Sequence, residues 1–303
     1  MTSPSAPPPV IDAHQHIWDL ERARYDWLGP GADARLRRSI SMDELRPEMR
    51  EAGITATVLV QASDNAEDTA LMMDVAAESP EVVAIVGYVP LERPEEAAEA
   101  LDTLRTNPLI SGIRNLIHDQ ADPDWLLRPD VDEGLGILER AGVPFDLVGV
   151  LPRHLELVPI ISERHPQLRI VIDHLAKPPI GHAELRPWSD LIATAAENPL
   201  VFGKLSGLYS ATGEPDSWTV DGLRPVVSHA LEVFGADRLM YGGDWPVSLI
   251  AGGYARVWQA LRSLIGELGE AAERRILSET AQAFYEIPQA RLDAAAHVEG
   301  MAR

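Results

Sequence analysis

Two histidines one residue apart, His14 and His16, follow the apolar start Val10-Ile11-Asp12-Ala13 of a 303-residue chain. Side chains alternate along a strand, so such a pair shares one face about 6.5 Å apart. Two imidazoles converging from one strand end can hold a divalent metal or polarise a carbonyl. Taken alone the pair also fits loop or surface histidines, since the chain has nine. Asp244 follows Gly242-Gly243 and precedes Trp245-Pro246. Two glycines permit a tight turn that exposes the carboxylate, which can act as a general base if it reaches a water. A turn or helix-cap aspartate is the plain alternative. His174 comes just after the apolar run ending at Ile172, where a core imidazole would need partners. Arg114 ends another apolar run and can hold a carboxylate or developing oxyanion, or pair with a neighbouring strand end such as Asp146.

Positioning these groups requires a scaffold, and the apolar pattern supplies one. Short runs rich in Val and Ile read as buried parallel strands at 10–14, 54–61, 82–89, 110–117, 144–148, 168–174, 200–205 and 238–242. Helical patterns fall between them at 67–78, 94–105, 129–141, 154–165, 188–197, 223–234 and 254–265. The first helix opens with Ser41-Met42-Asp43-Glu44, a capping box, and closes at Gly53. Eight strand–helix units predict a single-domain α/β (β/α)8 barrel over 10–287. An open doubly wound sheet also alternates, but no Gly-rich phosphate turn follows the first strand. The stretch 17–39, with Trp18, Tyr25 and Trp27, reads as an enlarged first loop over the mouth. A helical tail at 270–285 should pack beneath or beside the barrel, with a disordered lead at 1–9 and a C-terminal tail at 288–303 whose last residues fray.

Composition excludes several classes. There are 26 Lys+Arg against 47 Asp+Glu, a formal charge of −21, and no basic cluster. Such a chain repels phosphate backbones, so nucleic acid is not an expected partner. Cysteine is absent, which removes disulfides and thiolate chemistry. The first residues lack a signal-peptide pattern, and no apolar run is long enough to span a bilayer. A cytoplasmic protein without membrane contact is expected, and a homo-oligomer is compatible with the sequence.

In a (β/α)8 barrel, functional groups project from the C-terminal strand ends. Those ends carry His14 and His16, Arg114 and Asn115, Asp146, Asp173, His174 and Lys177, Lys204 and Ser206, and Asp244. A polar ring on an apolar scaffold is hard to explain as core. Trp125, Trp188, Tyr209 and Trp245 could pack against a ring substrate or serve as core anchors. Lys177 and Lys204 could instead pair with Asp173 or Asp146. His118 and His182 fall in loops on the mouth side.

Together, Ile11-Asp12-Ala13-His14-Gln15-His16, the His174 strand and Gly243-Asp244-Trp245-Pro246 resemble the amidohydrolase superfamily, amidohydrolase-2 type. The likeness narrows to its sugar-lactone hydrolase group, similar to L-fuconolactonase and L-rhamnonolactonase. It is carried by Gly112-Ile113-Arg114, the segment Asp122 to Pro129, Asp173 to Pro179, Lys204 to Leu208 and Asp237 to Val247. Many superfamily members place a carboxylated lysine at the fourth strand. Here the residues are Arg114-Asn115, which points away from a binuclear centre. Related lactonases often carry His after the fourth-strand Arg and Cys after Trp-Pro-Val, where this chain has Asn115 and Ser248.

The resemblance implies a lactonase, a hydrolase opening a sugar-acid lactone by attack of an activated water. Asp244 would take the proton, His14, His16 and His174 would polarise the carbonyl, and Arg114 would orient the substrate or steady the oxyanion. Asn115, Trp125, Lys177 and Trp245 would contact the sugar lactone. One divalent metal of the zinc or manganese type would sit on His14, His16 and Asp244, although catalysis without a metal is also compatible. A metal-dependent decarboxylase of the same superfamily and a noncatalytic carbohydrate-binding barrel are the alternatives.

Overall fold

The computed structural model describes residues 8–211 and 218–301. Most of the expected lead at 1–9 therefore lies outside the described residues. Eight parallel strands run in sequence order: β1 (Ile11–Gln15), β2 (Ala56–Val60), β3 (Val82–Gly87), β4 (Ile110–Asn115), β5 (Phe145–Leu147), β6 (Ile170–Ile172), β7 (Val201–Leu205) and β8 (Leu239–Tyr241). Each pairs with the next in parallel register, for example Arg114 opposite Asp146 and Lys204 opposite Met240. Closure comes just beyond the ends of β8 and β1. The Asp244 amide donates to the His14 carbonyl at 2.9 Å, and the His16 amide to the Trp245 carbonyl at 2.7 Å. The single-domain (β/α)8 barrel is thus realised, and its two ends meet at the residues of interest.

Helices α1 (Met42–Ala52), α2 (Ala66–Ala77), α3 (Pro94–Leu104), α4 (Pro129–Ala141), α5 (Pro152–Arg164), α6 (Trp188–Ala196), α7 (Val220–Phe234) and α8 (Tyr254–Gly266) alternate with the strands. Their starts and stops have local causes. Asn65 accepts from the Asp68 amide at 2.8 Å to cap α2, and Thr219 accepts from the Gly222 amide at 3.1 Å to cap α7. Gly53 and Gly142 end α1 and α4 in the left-handed conformation. The capping box expected at Ser41 does not form, because the Ser41 side chain makes no cap bond. Its partner Glu44 is drawn instead to the Arg38 guanidinium, at 2.8 and 2.7 Å.

The tail runs as α9 (Glu270–Arg274), a π-helical turn (Arg275–Glu279) and α10 (Thr280–Phe284), followed by α11 (Gln289–Met301). The last of these helices continues as far as Met301. Phe284, Tyr285, Ile287 and Leu292 join a buried cluster with Ile11, Ala13, Val58, Val60, Val86 and Met240. Arg291 donates to the carbonyls of Val83 and Pro108, both at the N-terminal side of their strands. The tail therefore lies across the barrel bottom, opposite the mouth. The first loop covers the other end, held by a bridge between Trp18 and Ile40 and by a short turn at Asp26–Leu28.

Candidate active site

His14 and His16 reach the mouth from β1, whose pairing with β2 shifts register between Asp12 and Gln15. Their Nε2 atoms lie 3.1 Å apart, and Oδ1 of Asp244 stands 3.9 Å from the first and 3.6 Å from the second. Nδ1 of His16 is 2.7 Å from the Val60 carbonyl, an acceptor, so that nitrogen carries the hydrogen and Nε2 carries a lone pair. Nδ1 of His14 sits 3.3 Å from Asp173 Oδ1 and 3.2 Å from Lys204 Nζ. When His14 donates to Asp173, three electron-rich atoms converge with no proton between them. That arrangement calls for a cation. A His–His–Asp set with carboxylate support behind one histidine fits a single divalent metal with room left for water. His14, Asp173 and His174 form an overlapping group of candidate ligands.

Beneath the pair lies a closed ionic network. Lys204 Nζ contacts Asp146 Oδ2 at 2.5 Å and Asp173 Oδ1 at 3.0 Å, and Arg114 holds Asp173 Oδ2 at 3.0 Å. Arg114 also donates to the Gln61 carbonyl at 2.5 Å. Its ion-pair partner is Asp173 rather than the suggested Asp146, while Lys204 takes both aspartates. Burial pulls the Asp173 carboxyl upward, but Lys204, His14 and Arg114 outweigh it and hold the group well below its ordinary value. Burial likewise pushes the Asp244 carboxyl up, and His174, His16 and Lys177 bring it below the usual range. Burial lowers His14 and His174 well below the ordinary imidazole value, which favours their neutral form. Neutral imidazole is the ligating form.

The backbone around the site is strained. Asp244 has φ 53°, and His174, Leu175, Ala176 and Lys177 form a run of four left-handed residues, φ 48° to 57°. Each costs about 1 kcal/mol or more in a side-chain-bearing residue. Anchors offset the cost: His174 Nδ1 lies 2.8 Å from Ser206 Oγ, and Trp188 Nε1 donates to the Leu175 carbonyl at 2.7 Å. The turn ends β6 earlier than its composition predicts and swings His174 and Lys177 into the mouth. Gly207, φ 53°, runs directly under them. A Cβ there would lie 2.5 Å from His174 Nδ1 and 2.7 Å from Asp244 Oδ2.

A cavity of about 340 Å³ opens above, bordered by His16, Arg114, His118, His174, Lys177 and Asp244 on its polar side. Trp27, Ala62, Leu116, Val148, Val150 and Val247 make the apolar side. Of the expected site residues, His14 is fully buried one layer below and meets the cavity through the lining residues His16, Arg114, His174 and Asp244. Asn115, Trp125 and Trp245 do not border it, contrary to the sequence expectation. The Asn115 amide is spent on the Val89 carbonyl, and both indoles are buried, Trp245 edge-on to Tyr254. The aromatic wall is Trp27, whose Nε1 donates to the Ala62 carbonyl at 2.8 Å and whose ring meets Trp18 edge-on. Only its place in the enlarged first loop hinted at this. His118, four residues after Arg114, is pushed down to about 4 by burial against the pull of Asp119. A wider depression of about 1180 Å³ adjoins the cavity, and Trp27 and Leu116 border both.

The protein is thus an α/β barrel with a His–His–Asp set at its C-terminal mouth, a group that could hold a metal ion. The chain belongs to the amidohydrolase family, which it matches over residues 11–287. It is 36% identical to an L-fucono-1,5-lactonase of Burkholderia ambifaria, over 91% of this chain and 95% of that one. An L-fucono-1,5-lactonase of Burkholderia multivorans is 31% identical over 92% and 96%. Among solved structures it is similar to an amidohydrolase of Burkholderia multivorans with bound zinc, with TM-score 0.85, 30% identity, and coverage of 92% and 100%. No helix among the described residues is long and apolar enough to cross a membrane.

Proposed function

We propose that this barrel hydrolyses a sugar-acid lactone, with Asp244 as general base. The observation that carries the reading is the convergence of His14, His16 and Asp244 at the floor of a cavity with one polar and one apolar side. A lactone ring has the same two-sided character: hydroxyls and an ester on one hand, C–H faces on the other. The two lactonase relatives, each matching over nine-tenths of the chain, support the same chemistry and favour a six-membered 1,5-lactone.

Asp244, ionised and 3.6 Å from His16, accepts a proton from a water in the cavity within reach of both. The resulting hydroxyl oxygen bonds to the lactone carbonyl carbon, and the carbonyl π pair moves onto its oxygen. Arg114 and Lys177 border the cavity and face this developing charge. Collapse reforms the carbonyl and breaks the ring C–O bond, and Asp244 returns its proton to the departing ring oxygen. The product is the open hydroxy acid. Trp27 and Val148 offer the surface against which the ring's C–H face rests. A divalent metal held by His14, His16 and Asp244 would supply Lewis acidity to water and carbonyl, which a carboxylate of low basicity needs most.

The test is acid release from a panel of aldono-1,5- and 1,4-lactones, with and without a chelator, alongside aromatic carboxylic acids. Lactone opening is the expected result. Carbon dioxide release from an aromatic acid without lactonase activity would overturn it in favour of the decarboxylase reading. Binding of lactones without turnover, unchanged in Asp244→Asn, would overturn it in favour of a noncatalytic carbohydrate-binding barrel.

A further inference from the structure

The proposed chemistry uses the mouth alone, yet a buried chain of contacts connects it to the barrel bottom. Tyr285 lies on the C-terminal tail, just past α10. Its hydroxyl donates to Asp146 Oδ2 at 2.7 Å, the same oxygen that Lys204 Nζ holds at 2.5 Å. The ammonium also stands 5.5 Å from the Tyr285 ring centroid. Beyond it Lys204 reaches Asp173 Oδ1 at 3.0 Å and His14 Nδ1 at 3.2 Å. Tyr285, Asp146, Lys204, Asp173 and His14 are all shielded from solvent.

His14 Nδ1 therefore has two neighbours of opposite kind at nearly equal range. Lys204 can only donate to it; Asp173, ionised, can only accept from it. If Lys204 donates, the ring hydrogen resides on Nε2 and points at the lone pair of His16 Nε2, 3.1 Å away. If Asp173 accepts, the hydrogen resides on Nδ1, and Nε2 turns a lone pair toward His16 and Asp244. The first tautomer satisfies the site without a cation and the second is the ligating form. The position of Lys204 relative to His14 Nδ1 and Asp173 weighs one against the other.

The geometry points to Tyr285 as a positioning residue for His14, acting through Asp146 and Lys204 to set which ring nitrogen carries the hydrogen. The tail thus sets how ready the mouth is for a metal. Without the hydroxyl, Asp146 Oδ2 keeps Lys204 as its one donor and draws the ammonium away from His14, which favours the Nδ1–H form. Without the Asp146 charge, the ammonium moves toward Asp173 and His14, which favours the Nε2–H form. The two substitutions act in opposite directions, which general loosening of the fold does not produce.

This inference rests on His14 belonging to the reacting site, and its test needs no substrate. Metal-free Tyr285→Phe and Asp146→Asn are compared with the parent by ¹⁵N NMR of the His14 ring, assigned with a His14→Gln variant. Zinc affinity is measured by titration calorimetry on the same proteins. Tyr285→Phe is expected to raise the Nδ1–H fraction twofold or more and to tighten zinc three- to tenfold. Asp146→Asn is expected to move both in the opposite sense. An unchanged tautomer ratio in Tyr285→Phe, or shifts of the same sign in both variants, would overturn the assignment. So would zinc affinity indifferent to Tyr285→Phe. If lactones are not hydrolysed, the tautomer result still stands or falls by itself.

Discussion

Nζ of Lys204 lies 2.5 Å from Oδ2 of Asp146, with neither side chain reached by solvent. Lys204 and Arg114 together balance Asp146 and Asp173, so the barrel interior holds a neutral set of four charges. Lys204→Met removes one cation and leaves two carboxylates with Arg114 alone. Breaking a buried pair from one side costs about 3–5 kcal/mol. Urea unfolding at pH 7 should show a loss of that size. A loss under about 1 kcal/mol would mean that the network contributes little.

Asp244→Asn removes the proposed base but preserves the shape of the site. General-base catalysis contributes typically about 10²–10⁴-fold, and kcat should fall by that range. The circular dichroism spectrum should match the parent. Activity within tenfold of the parent would require a different base.

Gly207 and Gly235 offer a contrast within one chain. Both have positive φ, 53° and 69°, but a Cβ on Gly235 meets nothing within 4 Å. Gly235→Ala should cost about 1–3 kcal/mol, because a ψ of 169° at positive φ is a conformation nearly confined to glycine, and should leave kcat unchanged. Gly207→Ala carries positive-φ strain of its own and also pushes His174 and Asp244 apart. Displacement of about 1 Å at a reacting centre costs about 10²-fold in rate. Equal kinetics for the two variants would remove the special role of Gly207.

Asp64 gives a pH signature separate from the catalytic groups. Burial raises its carboxyl from 3.8 to about 6, against hydrogen bonds from the Leu116 amide and Gln61. The folded state thus binds this proton more tightly than the unfolded chain. Its stabilising contribution is complete below the unfolded value near 3.8 and is lost as pH rises through about 6. Asp64→Asn keeps an oxygen to accept from Leu116 and does not titrate. Relative to the parent it should gain about 2–3 kcal/mol of stability between pH 4 and pH 8. Denaturant midpoints at the two pH values measure this, and a difference that does not change with pH would refute it.

Much of the scaffold was legible because it rests on local pattern. α4 begins and ends where Pro129 and Gly142 dictate, and seven of the eight strands fall inside their apolar runs, β1 passing its run by one residue at Gln15. The polar strand ends were readable too, since in this fold only one end of each strand is open to a ligand. What escaped was set by partners distant in sequence. Four left-handed residues after Ile172 carry no glycine to announce them and persist only through Ser206 and Trp188. Ser41 and Glu44 have the capping spacing, but Arg38 outcompetes the cap for the carboxylate. Trp245 and Trp125 follow polar site motifs yet turn into the core, while Trp27 supplies the aromatic wall from an irregular loop. Tyr285 lies 139 residues from the aspartate it touches.

Phe284, Tyr285 and Leu292 close the lower end of the barrel, so the described structure has a single doorway. Trp27 and Leu116 border both the cavity and the wider depression, so they flank a route for incoming lactone and departing acid. Ring opening turns a compact neutral molecule into a longer, flexible anion inside a pocket whose polar wall includes Arg114 and Lys177. The same cations that favour bond breaking therefore retain what it yields. Letting the anion go is therefore a step of its own, and the wide antechamber beside Trp27 gives it somewhere to unfold on the way out.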